Sequence, residues 1–184
     1  MIRFLMIARI LYDKGYSEYV SAARKIKNLF PDTEFLLLGS IDDSYPNHVP
    51  RSVVEQDTAD GIIGYLGYHN DVRKVIKTVD CIVHPSFYNE GLSRVLMEGL
   101  AMSKPIITTD IPGCRETVDN EINGYLCKPR DVKSLVDAIK SFLNLSAEER
   151  VSMGKAGRLK AEERFDVRKV IEVYHSLTDN QHNR

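Results

Sequence analysis

Residues 80–99 read "DCIVHPSFYNEGLSRVLMEG", and the architecture of the whole chain can be inferred by working outward from them. The first seven residues form an apolar run closed by His-Pro-Ser, which is typical of a short buried strand. In residues 92–102, apolar side chains recur at three- and four-residue intervals, which predicts an amphipathic helix. Glu90 stands at the start of this helix, and Glu98 follows about two turns later. A strand followed by a helix is the repeating unit of α/β proteins.

The same alternation extends towards both ends of the chain. Because strands that are apolar throughout are buried on both faces, the pattern predicts a doubly wound, Rossmann-like α/β domain with a parallel sheet of about six strands. This domain is expected to span residues 1–178, followed by a disordered polar tail at residues 179–184. The predicted strands are residues 4–10, 34–40, 62–68, 80–86, 104–110 and 123–129. The predicted helices are residues 16–29, 72–79, 92–102, 131–143 with Asp131 as N-cap, a helix that begins at Ser146 with a capping box to Glu149, and residues 167–177. The polar, turn-rich residues 41–59 are expected to be a surface excursion.

Composition excludes several classes of protein. The chain has 184 residues, 43% of them hydrophobic and 28% charged, with a formal net charge of -1. Nucleic acid is therefore not an expected partner, since phosphate backbones recruit strongly basic surfaces. No apolar run approaches the roughly 18 residues of a membrane-spanning helix. The three cysteines lack metal-ligand spacing and predict reduced thiols in a cytoplasmic protein.

Two basic residues follow the first predicted strand. Arg9 closes the strand, and Lys14 comes just before the first helix. Ligands of such sheets bind outside the carboxyl ends of the strands, where glycine and polar residues also follow strands two to five. Two cations at this edge can clamp a diphosphate through charged hydrogen bonds. The alternative is that both are solvated surface charges.

The helix of residues 92–102 offers two kinds of ligand contact. If it starts near Gly91, the N–H groups of Gly91, Leu92 and Ser93 form an anion site. At about 100° per residue, Glu98 then lies on the same face as Gly91 and beside the apolar stripe. A carboxylate there can accept two hydrogen bonds from a vicinal diol such as that of ribose.

A simpler interpretation of both acids is also open. Glu90 can be an ordinary acid at a helix start, and Glu98 can pair with Arg94 four residues earlier. His84, at the end of the fourth predicted strand, is either a residue of the pocket or a hydrogen-bonded structural histidine. Cys114 is predicted to be a small packing residue rather than a nucleophile.

Four motifs in order resemble the retaining GT-B glycosyltransferases of family four, also called group 1 glycosyltransferases. The resemblance covers essentially the whole chain but only the C-terminal, donor-binding half of that fold. It is closest in character to bacterial enzymes that build capsule, lipopolysaccharide or lipid-linked oligosaccharides. The motifs are "ARILYDKG" at residues 8–15, "GYLGYHNDV" at residues 64–72, "EGLSRVLME" at residues 90–98 and "KPIITTDIPGCRETV" at residues 104–118.

The resemblance implies a role for each matching residue. Arg9 and Lys14 would hold the diphosphate of the donor, and Glu98 would bind its ribose hydroxyls. Glu90 would be the catalytic residue that contacts the donor sugar. The remaining donor-binding residues would be Gly91, Leu92 and Ser93 at the helix start, where Ser93 replaces the glycine or proline of many relatives, and Asn70 and Val72 in the loop beside the base.

The resemblance also implies substrates and partners. The donor would be a UDP-sugar, with an N-acetylhexosamine as one option, and the acceptor a polysaccharide or lipid-linked glycan. No metal or other cofactor is expected, because no D-x-D motif occurs and the pair Asp42-Asp43 is most simply a solvated turn. The full-length protein would be cytoplasmic, with peripheral attachment to the inner membrane.

The chain begins within a few residues of the first predicted strand, so the N-terminal acceptor domain is expected to be missing. The chain alone would then bind donor weakly and transfer nothing, and the apolar face of residues 167–177 would favour self-association. Two alternatives stay open: a non-catalytic nucleotide-binding or interaction module, and an epimerase with the GT-B fold. A module without nucleotide contacts would not bind UDP.

Overall fold

Six parallel strands form the centre of the computed structural model, which describes residues 1–88, 91–169 and 171. Their order across the sheet is β3-β2-β1-β4-β5-β6, and all neighbouring pairs run parallel. The predicted doubly wound α/β fold is therefore confirmed. The strands are β1 (Ile2–Ile7), β2 (Thr33–Leu38), β3 (Gly64–Tyr65), β4 (Cys81–His84), β5 (Ile106–Thr109) and β6 (Gly124–Cys127).

The first four helices each connect two consecutive strands, the last two follow β6, and together the helices cover both faces of the sheet. Short 3-10 turns at Tyr12–Lys14 and Arg115–Thr117 follow β1 and β5. In the part of the chain that the structure describes, none of the helices has the length and hydropathy needed to cross a bilayer. The helices are α1 (Tyr16–Leu29), α2 (Arg51–Ala59), α3 (Arg73–Ile76), α4 (Arg94–Ala101), α5 (Val132–Leu143) and α6 (Ala147–Arg164).

Side chains that alternate along the strands build two separate cores. On β1, Phe4 joins the core beneath α1 and α5, whereas Leu5 joins the core beneath α3, α4 and α6. Phe4 stacks on Phe35 of β2 with ring centroids 4.9 Å apart, and meets Phe142 of α5 edge-on at 5.8 Å. Burial on both faces explains why the strands are continuous apolar runs.

A buried polar cluster attaches α2 to α1. The carboxylate of Asp57 accepts hydrogen bonds from the hydroxyl of Tyr16 at 2.7 Å and from Nη2 of Arg24 at 2.6 Å. Residues 41–59 lie largely at the surface, as predicted, but their second half forms a helix that was not predicted. Residues 51–59 form a helix because Pro50 stands at its N-cap and because Val54 and Asp57, three residues apart, are buried against α1 and the sheet.

The other element boundaries differ from the predictions mainly in length. Helix α1 has the predicted bounds, Asp131 accepts a hydrogen bond from Ser134 N–H at 2.9 Å, and the capping box of Ser146 is present. Strand β3 has only two residues, and α4 begins at Arg94 rather than at residue 92. Most of the predicted helix at residues 167–177, including Val170, Val173, Tyr174 and Leu177, and the tail at residues 179–184 lie outside the described residues.

Gly15 fixes the distance between the loops that follow β1 and β4. Its φ of +85° is in the left-handed region, and a Cβ atom there would lie only 2.2 Å from the carbonyl oxygen of Pro85. The N–H of Phe87 donates to the carbonyl of Asp13 at 3.0 Å and holds the same two loops together. The carboxyl ends of β1 and β4 therefore present one continuous surface.

Candidate functional site

Two cavities meet at the carboxyl edge of the sheet, next to the boundary between β1 and β4. The strand order changes direction at this boundary, which is where doubly wound sheets open a crevice. The larger cavity, of about 550 Å³, extends towards β2 and β3, and the smaller, of about 330 Å³, extends towards the start of α4. Both cavities are lined by Ile7, Ala8, Arg9, Arg94 and Val95. They are therefore two parts of one crevice.

Arg9 lies where the two cavities join. Its side chain is exposed and stacks on the ring of Tyr45, with the guanidinium carbon 4.3 Å from the ring centroid. Nη2 also lies 3.4 Å from the Tyr45 hydroxyl and donates to it. The positive charge predicted at the end of β1 is thus located over the crevice.

Lys14 lines the smaller cavity and is only 7% exposed. Its Nζ lies 4.5 Å from the ring centroid of Tyr88, in the loop after β4. A tyrosine ring therefore contacts each of the two predicted cations. Cation–π contacts of this kind orient a charge without cancelling it.

The start of α4 differs from the prediction in one respect. The N–H of Ser93 donates to the carbonyl of Gly113 at 3.1 Å, so the expectation that this N–H would be available to an anion is wrong. The loop after β5 occupies it because Ser93 is the buried N-cap of a helix that begins at Arg94. The N–H groups without an acceptor inside the helix are those of Arg94, Val95 and Leu96. Since Arg94 and Val95 line both cavities, this helix start still faces the crevice.

Glu98 lines the larger cavity and also pairs with Arg94. The Arg94 Nη2 lies 3.9 Å from Oε1 of Glu98, and 41% of the Glu98 side chain is exposed. An exposed pair at this distance is worth only about 0–1 kcal/mol, so it leaves the carboxylate available to a ligand. Both interpretations of Glu98 from the sequence are therefore compatible with its position.

The loop after β3 closes the far side of the larger cavity. Tyr68, His69 and Val72 line it, and the exposed Asn70 lies between them along the chain. Gly91, Leu92 and Ser93 line the smaller cavity. The structure thus brings seven of the nine predicted site residues to the crevice and places Asn70 beside it. Glu90, the predicted catalytic residue, lies outside the described residues.

Several residues in or beside the crevice are not predicted from the sequence. The sequence leaves the role of His84 open; in the structure it is 2% exposed, lines the smaller cavity, and its carbonyl accepts a hydrogen bond from Thr108 Oγ1 at 2.7 Å. Tyr45 and Tyr88 were missed, although aromatic residues in the loops after strands were a signal that could have indicated them. Arg94 was considered only as a partner of Glu98.

The described residues include neither a metal site nor a reactive thiol near the crevice. Among the described residues, His, Cys, Asp and Glu form no group of three or more that could hold a metal ion. Asp42 lies in a turn, where hydrogen bonds from the Ser44 hydroxyl and N–H lower its pKa. The cysteines are buried, and burial raises the pKa of Cys81 and raises that of Cys127 to about 12. Thiolate nucleophiles at neutral pH are therefore not expected.

The chain is similar to known proteins over most of its length. The family described as "Glycosyl transferases group 1" matches residues 2–160. The chain is 31% identical over 139 residues to the N,N'-diacetylbacillosaminyl-diphospho-undecaprenol alpha-1,3-N-acetylgalactosaminyltransferase of Campylobacter jejuni, covering 76% of this chain and 35% of that protein.

Two solved structures show the same fold. A glycosyltransferase of Rickettsia africae superposes with a TM-score of 0.84 at 27% identity, covering 98% of this chain and 48% of that one. Anabaena HepE in complex with UDP superposes with a TM-score of 0.84 at 20% identity, covering 97% and 49%. The chain thus spans between about a third and a half of the length of these proteins.

Proposed function

This chain belongs to the group 1 glycosyl transferases, and on that premise we propose that it is the donor-binding domain of a retaining GT-B glycosyltransferase. The enzyme would move a sugar from a nucleotide diphosphate sugar to a polysaccharide or lipid-linked glycan. One observation carries the proposal: Arg9, Lys14 and the start of α4 line one cavity, and Glu98 lines the cavity that continues from it.

The smaller cavity is proposed to hold the diphosphate. Two cations and the first N–H groups of α4 meet there, and each charged hydrogen bond is worth about 1.5–3 kcal/mol. As the bond between the sugar and the diphosphate breaks, negative charge develops on the leaving oxygen. Fixed cations and helix N–H groups stabilise that charge, and we propose that they do so without a metal ion.

The larger cavity is proposed to hold the nucleoside. Glu98 would accept hydrogen bonds from the ribose hydroxyls, and the loop with Tyr68, Asn70 and Val72 would flank the base. UDP is the proposed nucleotide, supported by the UDP complex of HepE, whose fold matches this chain. Uridine must fit within about 550 Å³, which is within the usual range of small-molecule sites.

We propose the transfer step because the chain belongs to this family. Glu90 would contact the donor sugar, whose anomeric carbon exchanges its bond to the diphosphate for a bond to an acceptor oxygen with retention of configuration. The name of the C. jejuni relative supports an acceptor built on diphospho-undecaprenol. We propose that the acceptor binds to another part of the full-length protein, at the cytoplasmic face of the inner membrane. The chain by itself would bind donor but show no turnover.

The test is isothermal titration calorimetry with UDP. Wild type is expected to bind, and Glu98→Gln is expected to bind about tenfold more weakly, because a charged acceptor of ribose hydrogen bonds is lost. The control is Asp137→Asn, which removes an exposed carboxylate from another i,i+4 pair, with Lys133. It is expected to leave the affinity unchanged, as is addition of EDTA.

Three results would contradict the proposal in different ways. Absence of UDP binding by wild type would reject the donor-binding function. Equal affinities of Glu98→Gln and Asp137→Asn would show that Glu98 only pairs with Arg94. Loss of binding in EDTA would reject metal-independent binding.

A further inference from the structure

The side chain of Arg9 needs a structural partner to hold it over the crevice. It follows the end of β1, is exposed, and forms no ion pair with any carboxylate in the described part of the chain. A long side chain in this setting would sample many rotamers, and ordering it on ligand binding costs free energy. The contact that orders it is the ring of Tyr45, at 4.3 Å from the guanidinium carbon.

Tyr45 lies on a loop that is itself fixed beside Arg9. The carbonyl of Tyr45 accepts a hydrogen bond from the His48 N–H at 3.1 Å and lies 2.7 Å from Nδ1 of the same histidine. The loop between β2 and α2 is also hydrogen-bonded to the segment after β1. Three backbone hydrogen bonds, each 3.0 Å long, join these segments: Ile10 N–H to the Ser40 carbonyl, Tyr12 N–H to the Asn47 carbonyl, and Val49 N–H to the Ile10 carbonyl.

A tyrosine suits this position for an electrostatic reason. The face of the ring attracts the guanidinium through its quadrupole but carries no net charge, so the full positive charge of Arg9 remains available to an anion. A carboxylate would also hold the arginine but would compete with phosphate for it. The nearby acid Asp42 directs Oδ1 to the N–H and hydroxyl of Ser44, at 3.1 and 2.5 Å.

We propose that Tyr45 is a positioning residue, which holds the guanidinium of Arg9 at the junction of the two cavities and so prepares it for the diphosphate. This inference rests on the proposed function. It assigns to the loop after β2 a part in diphosphate binding, although Tyr45 itself does not line either cavity.

The experiment is a double-mutant cycle, with UDP affinity measured by calorimetry. Tyr45→Leu removes the ring and is expected to weaken binding by about 2- to 30-fold, the range of a cation–π contact. Tyr45→Phe keeps the ring and should restore affinity to within about twofold of wild type, since the hydroxyl contact is long. In the Arg9→Gln background, Tyr45→Leu is expected to have no further effect. The control is Tyr12→Leu, since the Tyr12 ring packs on Tyr16 rather than on a cation, with centroids 6.5 Å apart.

The outcomes separate this inference from the proposed function. If Tyr45→Leu weakens UDP binding equally with and without Arg9, or not at all, the positioning role is overturned while the proposed function stands. If wild type does not bind UDP, both are overturned. Circular dichroism and thermal melting of each variant show whether it is folded, and a Tyr45→Leu protein that melts with wild type but binds like Arg9→Gln would support the role.

Discussion

Replacing Gly15 by alanine should separate the two loops that form the smaller cavity. The substitution has two costs. Alanine in the left-handed region is disfavoured by about 1–2 kcal/mol. In addition, the new Cβ would lie 2.2 Å from the Pro85 carbonyl oxygen, and that backbone must retreat by about 1 Å to reach van der Waals contact. Overpacking of this kind costs about 1–3 kcal/mol, so the free energy of unfolding should fall by about 3 kcal/mol.

Gly61→Ala provides the matched control. Gly61 also has a positive φ, of +69°, but a Cβ built there meets nothing within 4 Å. It should therefore show only the conformational cost, about 1–2 kcal/mol. The difference between the two variants isolates the steric conflict with Pro85.

Urea denaturation followed by circular dichroism measures both effects, provided that the dependence on denaturant is the same for all three proteins. Gly15→Ala should also bind UDP more weakly, because the loop that carries Tyr88 moves away from Lys14, whereas Gly61→Ala should bind normally. If Gly15→Ala is no less stable than Gly61→Ala, the close approach at Pro85 does not constrain the loops and the reasoning fails.

Three further predictions concern the scaffold. Tyr16→Phe should lower the free energy of unfolding by about 1–3 kcal/mol in urea denaturation, because one oxygen of the buried Asp57 loses its donor at 2.7 Å; an unchanged midpoint would contradict this. Ser146→Ala should cost about 1 kcal/mol by the same assay, since Ser146 Oγ accepts from the Glu149 N–H at 3.1 Å in the capping box. Burial raises the pKa of Cys127 from 9.0 to about 12, so its contribution to stability is fully present below pH 9 and is lost as the pH rises towards 12. Denaturation at pH 7 and pH 11 should show a smaller alkaline loss in Cys127→Ala than in wild type, and equal losses would refute the shift.

The sheet could be predicted because its strands are buried on both faces. Six apolar runs predict six strands, and their alternation with helices predicts parallel pairing. The runs were predicted too long at their carboxyl ends, as at residues 8–10, where apolar side chains continue into the loop. Periodicity cannot show where a ladder of hydrogen bonds stops.

Helix α2 could not be predicted for a related reason. Its buried residues include only one apolar side chain, Val54, and the helix is attached largely by Asp57 to Tyr16 and Arg24. Partners more than thirty positions away in the chain supply this attachment. The local sequence of residues 51–59 therefore resembles that of a polar loop.

The sequence predicts the charged residues of the candidate site but not the residues that contact them. Arg9, Lys14 and Glu98 were placed at one edge by the rule that ligands bind at the carboxyl ends of strands. The hydrogen bond from Ser93 to Gly113 and the contact of Arg9 with Tyr45 depend on how separate loops meet. Only the tertiary structure shows which loops are in contact.

Because every strand runs in the same direction, the carboxyl ends of the strands form one rim of the sheet and the amino ends form the other. Residues at one rim can therefore be changed without changing the other. The crevice occupies one rim, whereas the connections from α1 to β2 and from α5 to α6 turn at the other, with exposed residues at Pro31 and Asn144. A fluorophore or an epitope attached at either position would lie a full strand length away from bound nucleotide. These turns are therefore the natural places to immobilise or label the protein for the binding assays.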